Sequence, residues 1–325
     1  LSFSTIAAFN GNGAMPHYRA TEQSHALIEG NGLLLIDSGG QYLGGTTDIT
    51  RMVPVGNPSQ AQKQDCTRVL KGMIALSRAT FPRGVLSPLL DAIARAPIWA
   101  DQVDYGHGTG HGVGYFMNVH EGPQVIAYQA APAPQTAMQA GMISSIEPGT
   151  YRPGQWGVRI ENLVVNREAG RSAFGDFLQF ETLTLCPIDT RCLLPGLLAK
   201  EEVEWLNGYH ANVRERLAPL LKGDAPPVNL LAVRDQLFAS CAEGLVGLQQ
   251  RFGLQAIQTL DLPVQSINYP IEAYPAKINS FNLDKLQLAE GTLLGIKGQY
   301  LMFDTGVINI RKYTAYQLAV HELAA

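Results

Sequence analysis

Long apolar runs are missing from this 325-residue chain. Stretches such as Leu33–Ile36 are far shorter than the roughly 20 residues a membrane-crossing helix requires. An excess of charge is missing too. Lys and Arg number 24 against 28 Asp and Glu, and a net charge of −4 offers no basic face to a nucleic acid or a membrane. Cysteine is sparse: Cys66, Cys186, Cys192 and Cys241 are scattered, with no Cys-x-x-Cys pair for structural zinc. They read as free thiols in a reducing compartment, so the expected localisation is cytoplasmic. The chain opens at Leu1 without a methionine or a secretory leader pattern. What is there, 46% hydrophobic and 16% charged residues, is ordinary for a soluble globular protein of one large domain or two modest ones.

The first part alternates sheet and helix signals. Leu33–Asp37 reads as a buried strand, and glycines at 39, 40, 44 and 45 supply a turn before a second strand over Thr46–Val55. A helix is expected from Pro58 to about Ala79, burying Val69, Leu70, Met73 and Ile74. Another is expected from Ser87 as cap, with Pro88 in its first turn, burying Leu89, Leu90 and Ile93. Strands follow near Met142–Glu147, Val158–Val165 and Phe177–Leu185, with a surface loop over the Pro/Ala-rich stretch 130–137. A helix over Lys200–Leu221 carries Val203, Leu206, Val213, Leu217 and Leu220 at helical spacing. Lys222–Pro227 reads as a linker, which divides the chain into 1–221 and 222–325. Beyond it, a long amphipathic helix runs from Leu230 to Phe252, and Gly291–Phe303 and Val307–Tyr313 form a hairpin around Asp304-Thr-Gly306.

Three short motifs gather four carboxylates and a histidine. They are Asp37-Ser-Gly with Thr47-Asp48-Ile-Thr-Arg51, His107-Gly-Thr-Gly-His111-Gly-Val-Gly, and Glu147-Pro-Gly with Arg159-Ile-Glu161-Asn162. Asp37 and Asp48 would stand roughly 36 Å apart in one continuous strand, so the intervening glycines must double the chain back before both reach one site. Glu147 and Glu161 repeat the arrangement around Pro148, Gly149, Pro153, Gly154 and Gly157. Glycine at 106, 108, 110, 112 and 114 argues against a helix at His107–His111 and for a strand or tight loop of close backbone approach. Four carboxylates in one pocket repel and take up protons unless cations offset them. Two divalent ions beside a neutral imidazole do so, and such a pair about 3.5–4 Å apart suits hydrolysis.

The order Asp, Asp, His, Glu, Glu resembles the metallopeptidases of the pita-bread fold. His107–Gly114, Asn118-Val-His120-Glu-Gly-Pro123 and Thr46–Arg51 resemble their cytosolic aminopeptidase P type, as does Glu204-Trp-Leu-Asn-x-Tyr209-His210. The likeness covers about residues 1–221. It implies an α+β pita-bread fold, a dinuclear centre of two divalent ions (Mn2+, with Co2+ or Zn2+ as alternatives), and release of the residue preceding proline from peptides with proline at position 2. By the resemblance, Asp37 holds one metal, Asp48 and Glu161 bridge both, and His111 and Glu147 complete the second. Glu147 also accepts the proton of the attacking water. His17 and His120 steady the carbonyl and the tetrahedral intermediate, His107 lies at the proline-side pocket, and Arg159 orients a carboxylate. His25, His210 and His321 have no chemical role. The resemblance allows a homodimer. The elements that open the family's fold before Leu1-Ser-Phe-Ser-Thr are expected to be absent, leaving the pita-bread fold incomplete at its N-terminus.

The segment after 222 resembles the C-terminal part of an uncharacterised bacterial domain family, on Leu283-Asp-Lys285, Gly291–Tyr300 and Asp304–Tyr313, and is expected to be a smaller α+β unit. Lys297, Arg311 and Lys312 read as a solvated strand face rather than an anion site. Two alternatives stand beside the aminopeptidase. One is a prolidase restricted to dipeptides. The other is an inactive pita-bread binding module fused to the second segment.

Overall fold

The computed structural model describes residues 1–42, 44–222, 229–253, 268–275, 278–283, 285–313, 319 and 321, without side-chain surroundings for 220–222, 252, 311 and 312. The chain divides into two compact units, Leu1–Arg214 and Glu215–Ala325. Among the described residues no helix is long and apolar enough to cross a membrane.

The first unit begins with three antiparallel strands, β1 (Ile6–Phe9), β2 (Gly32–Ser38) and, beyond a hairpin of β3 (Gln41–Tyr42) and β4 (Gly45–Thr46), β5 (Ile49–Val55), in the order β1-β2-β5. β2 is covered on both faces, as its unbroken apolar run requires: Leu33, Leu34 and Leu35 are all buried. Asp37 faces Thr50 across the ladder. The strand expected over Thr46–Val55 is interrupted. After Ser38 the chain leaves the sheet, forms a small hairpin of β3 (Gln41–Tyr42) and β4 (Gly45–Thr46), and re-enters only at Ile49. Gly39 permits the detour, because a Cβ there would lie 2.0 Å from the Thr47 carbonyl oxygen.

Helix α1 (Gln60–Ser77) starts at a capping box, in which Ser59 Oγ accepts from Gln62 N and Gln62 Oε1 accepts from Ser59 N. Its expected face is buried: Val69, Leu70, Met73 and Ile74 are fully covered. After β6 (Thr80–Pro82), the second expected helix starts differently. Ser87 caps nothing, since its hydroxyl donates to Val125 O and accepts from Val125 N. A 3-10 turn over Ser87–Leu90 leads instead into α2 (Asp91–Trp99). The tighter turn rotates Leu89 into solvent, leaves Ile93 half-buried, and buries Arg95 completely.

One short pair follows, β7 (Gly110–His111) with β8 (Val125–Ile126). The loop at 130–137 is largely exposed, with one 3-10 turn at Pro134–Thr136. Then come β9 (Ile143–Ile146), β10 (Gly149–Arg152), β11 (Trp156–Arg159), β12 (Asn162–Ser172) and β13 (Gly175–Thr182). β9 pairs with β12 and β10 with β11, so one long ribbon is broken on both strands at the same level. The single strand expected over Val158–Val165 is therefore two strands. The cause lies in the backbone: Glu147 N donates to Thr109 O at 2.7 Å and Glu161 N to Thr50 O at 3.2 Å, outside the ribbon ladder.

The long helix α3 (Lys200–Lys222) buries Leu206, Tyr209 and Val213, and the unit division falls within it. The side chain of Leu220 and the linker residues 223–228 lie outside what is described. In the second unit, the helix expected from Leu230 to Phe252 is two helices, α4 (Leu230–Ser240) and α5 (Ala242–Phe252). Ser240 Oγ back-bonds to the carbonyls of Gln236 and Leu237 where the first ends. α4 buries no residue, and Leu230, Leu237 and Leu248 are exposed. Among the described residues of this unit, three antiparallel strands follow: β14 (Leu293–Lys297), β15 (Tyr300–Phe303) and β16 (Val307–Asn309), around Met302, Val307 and Tyr313. The expected turn at Asp304–Gly306 joins the last two. Lys297 Nζ donates to Tyr274 Oη at 3.1 Å, while Asp284 and the side chains of Arg311 and Lys312 fall outside the described residues.

Candidate metal centre

Asp48, His111 and Glu161 converge. Each offers a ligand atom within 4.8 Å of the others, and a metal ion needs such a spacing. Asp48 comes from the re-entry into β5, His111 from β7 and Glu161 from the ribbon break. His111 Nδ1–H donates to the Gly112 carbonyl at 2.9 Å. That hydrogen bond leaves the Nε2 lone pair to face inward, 3.5 Å from Asp48 Oδ2 and 3.3 Å from Glu147 Oε1. Glycine at 110 and 112 makes this approach feasible, since a Cβ at either would sit 2.0 Å from the carbonyl oxygen of Ser145 or Glu121.

Asp37 and Glu147 border the triad. Arg159 Nη2 donates to Asp37 Oδ2 at 2.7 Å, and its Nε lies 3.9 Å from Glu147 Oε2. Two buried carboxylate oxygens, Asp37 Oδ1 and Glu161 Oε1, have no hydrogen-bond partner among the described residues. Buried acceptors are ordinarily satisfied, so both fit a donor set meant for cations. Electrostatics agree. Burial raises the Asp37 pKa to about 7, with Arg159 opposing and Asp48 adding. Burial also lifts Glu161 far above the usual carboxylate range, assisted by Asp48, Glu147 and Asp37. Burial disfavours charge on His111, but Asp48 and Glu147 overcome it and push the imidazole up to about 11. Such a cluster gains from cations that offset it charge for charge.

His120 stacks edge-on against His111 with ring centroids 4.1 Å apart, while His17 lies exposed. Burial, then His111, hold the His120 pKa down. The expected opening of His107 toward a substrate meets an obstacle. Its Nδ1 bonds to Gly108 O at 2.7 Å and its Nε2 to Tyr151 Oη at 2.8 Å, so both ring nitrogens are already engaged.

Sequence reasoning passed over Thr50, Tyr151 and the full reach of Arg51. Thr50 Oγ1 donates to Glu161 Oε2 at 2.8 Å and accepts from Arg159 Nε at 3.1 Å. Tyr151 Oη accepts from Arg159 Nη1 at 2.9 Å, linking that guanidinium to His107. Arg51 donates to the Glu161 carbonyl, Asn162 Oδ1, Cys186 O and Tyr209 Oη, which explains why the 46–51 and 204–210 motifs occur together. A period-two reading from Glu147 through Gly149 would have found Tyr151.

Residues 1–168 match the family model described as metallopeptidase family M24. The chain belongs to that family. Within it, the M24 chain is 46% identical over 227 residues to a probable Xaa-Pro aminopeptidase P of Laccaria bicolor, covering 69% of this chain and 35% of that protein. It is 47% identical over 225 residues to aminopeptidase P2 of Arabidopsis thaliana, covering 68% and 31%. The X-prolyl aminopeptidase of Caenorhabditis elegans, a cytosolic enzyme with a dinuclear active site, superposes with a TM-score of 0.63 at 40% identity, covering 69% of this chain and 36% of that one. The M24 chain thus spans about a third of the length of the relatives it matches. The expected α+β pita-bread fold holds for the part they share. Residues 202–318 match a second model, described as a protein of unknown function (DUF2797), in line with the uncharacterised family expected there.

Proposed function

We propose that the protein is a dinuclear metal-dependent aminopeptidase that cleaves the bond between an N-terminal residue and a following proline. One observation carries the reading: Asp48, His111 and Glu161 offer ligand atoms within 4.8 Å of one another, Glu147 and Asp37 border them, and two buried carboxylate oxygens have no hydrogen-bond partner among the described residues. The relatives named Xaa-Pro aminopeptidase and the dinuclear C. elegans neighbour support it. Asp37, Asp48, His111, Glu147 and Glu161 would hold two divalent ions, with Asp48 and Glu161 shared between them. Mn2+ is the proposed metal, and Co2+ or Zn2+ suit the same donors. When bound, the pair supplies charge that ionises a water near neutral pH and polarises the scissile carbonyl.

The chain's own residues do the rest. Glu147 takes the proton of the attacking water and delivers it to the proline nitrogen as the C–N bond breaks. Arg159 and Thr50 fix the carboxylates of Asp37 and Glu161. His120, beside His111, and His17 are proposed to donate to the carbonyl oxygen as negative charge develops there. His107, held by Tyr151, shapes the proline side. A cytoplasmic setting and a boundary near residue 222 belong to the same proposal, supported by the four free thiols and the unit division at Arg214–Glu215.

Purified protein loaded with Mn2+ should release the first residue of an Xaa-Pro-Pro tripeptide. Turnover confined to Xaa-Pro dipeptides would instead assign a prolidase. No release by either route, with the protein folded and two ions bound, would overturn the reading.

A further inference from the structure

α2 carries a charged pair that the proposed chemistry does not use. The side chains of Asp91 and Arg95 have no solvent exposure, which is rare for such residues. Arg95 Nε donates to Asp91 Oδ2 at 2.9 Å, and Nη1 donates to Asp104 Oδ1 at 2.6 Å and to Tyr105 O at 2.8 Å. Nη2 donates to the carbonyl of His107. The guanidinium carbon lies 3.8 Å from the centre of the Tyr105 ring and 4.7 Å from that of Tyr128, flanked by two aromatic faces. Asp91 is used as fully: it accepts from Arg95, from Tyr128 N at 2.7 Å and from the Thr109 hydroxyl, which itself accepts from Tyr105.

Everything this pair grips lies on one loop or beside it. Asp104–Gly108 makes no backbone–backbone hydrogen bond among the described residues, and Gly108 lies so close to the end of β8 that a Cβ there would sit 2.8 Å from Ala127 Cβ. The loop carries His107. Its next residue, Thr109, accepts the backbone N–H of Glu147. The pair therefore substitutes for a missing backbone ladder under two residues of the site.

We propose that Asp91 and Arg95 are positioning residues that fix the His107 ring and the Glu147 backbone through loop 104–109. The activity arm of the test rests on the peptidase reading; the spectroscopic arm does not. Arg95→Lys keeps the charge and can still reach Asp91. A single ammonium cannot span the Tyr105 and His107 carbonyls together. Protein labelled with 15N-histidine and loaded with Zn2+ should show His107 of the wild type as one tautomer, protonated at Nδ1. Arg95→Lys should show both tautomers in exchange. With the metal content unchanged, kcat on Xaa-Pro-Pro should fall at least tenfold while KM moves less than threefold. Thr109→Val cuts the loop from Asp91 and leaves the ion pair whole, so it should disturb the tautomer in the same way if Arg95→Lys does not fold. An unchanged tautomer in a folded variant would reduce the pair to core packing and overturn the proposal. A wild type without peptidase activity would sink the functional reading alone, and the tautomer would still decide this one.

Discussion

Thr50 is fully buried and uses one hydroxyl twice, toward Glu161 and from Arg159. Thr50→Val keeps the shape and removes both bonds. Metal affinity should fall about 10–100-fold, as for other groups that orient ligands, measured by competition with a chelator. The carboxylates also set a pH dependence. Asp37, raised to about 7 mainly by burial, holds a proton in the folded state that the unfolded chain releases near pH 4. Unfolding therefore sheds a proton between those values, and stability falls as pH rises through that window. Chelated protein should melt at a higher temperature at pH 5 than at pH 7.5. Metal-loaded protein should show the opposite order, because the ligands must be deprotonated to bind. Calorimetry with and without chelator checks both. The ligands were legible in the sequence because carboxylates and glycines stand in short motifs. Thr50 and Tyr151 were not, since a hydroxyl shows its role only once its two partners are in place.

At the scale of elements, the β10–β11 hairpin carries Tyr151 and Arg159 and is tied to α1 through Asp65. That carboxylate has no exposure and accepts from Arg152, Trp156 and Arg68. Burial alone would raise its pKa, but those donors outweigh it and hold the carboxyl below its ordinary value. The stabilisation is then complete above the unfolded pKa and is lost as pH falls through the lower folded one. Asp65→Asn should cost about 1–3 kcal/mol, because a buried acceptor loses its charged hydrogen bonds while Arg152 stays partly in water, measured by urea unfolding at neutral pH. The variant should also lose activity as the hairpin shifts. α3 is tied in similarly, through Tyr209 Oη, which donates to the Cys186 carbonyl at 2.7 Å and accepts from Arg51 at 2.9 Å. Tyr209→Phe should cost about 1–3 kcal/mol by leaving those groups unpaired, with the metal content intact. Helix α1 was readable because Val69, Leu70, Met73 and Ile74 stand at helical spacing, and all four are buried. The strand breaks at Thr47–Asp48 and Ile160–Glu161 were not, because local β propensity runs through them. The approach of Gly39 to the Thr47 carbonyl decides the first, and the hydrogen bond from Glu161 N to Thr50 O, distant in sequence, decides the second.

At the scale of the molecule, every proposed metal ligand precedes Asn162, and the first compact unit ends at Arg214. Residues 1–221 produced alone should bind the same number of ions with the affinity of the full chain, as judged by titration calorimetry. A tenfold loss would show that the second unit supports the centre. The amphipathic pattern at Leu230–Phe252 illustrates the limit of periodicity. It announced a stripe and a helix, but not that Leu230, Leu237 and Leu248 would stand exposed or that Ser240 would end the first helix.

The sequence by itself determined which residues could ligate, that the chain must fold back between them, and that long helices lie near Pro58–Ala79 and Lys200–Leu221, because periodicity and glycine spacing act over a few residues. Tertiary structure alone decided that Asp48 and Glu161 leave their strands, that His107 is held at both nitrogens, and that Arg95 is buried beneath the site. Each of these depends on a partner far along the chain, and no local preference encodes a contact whose other half has yet to arrive.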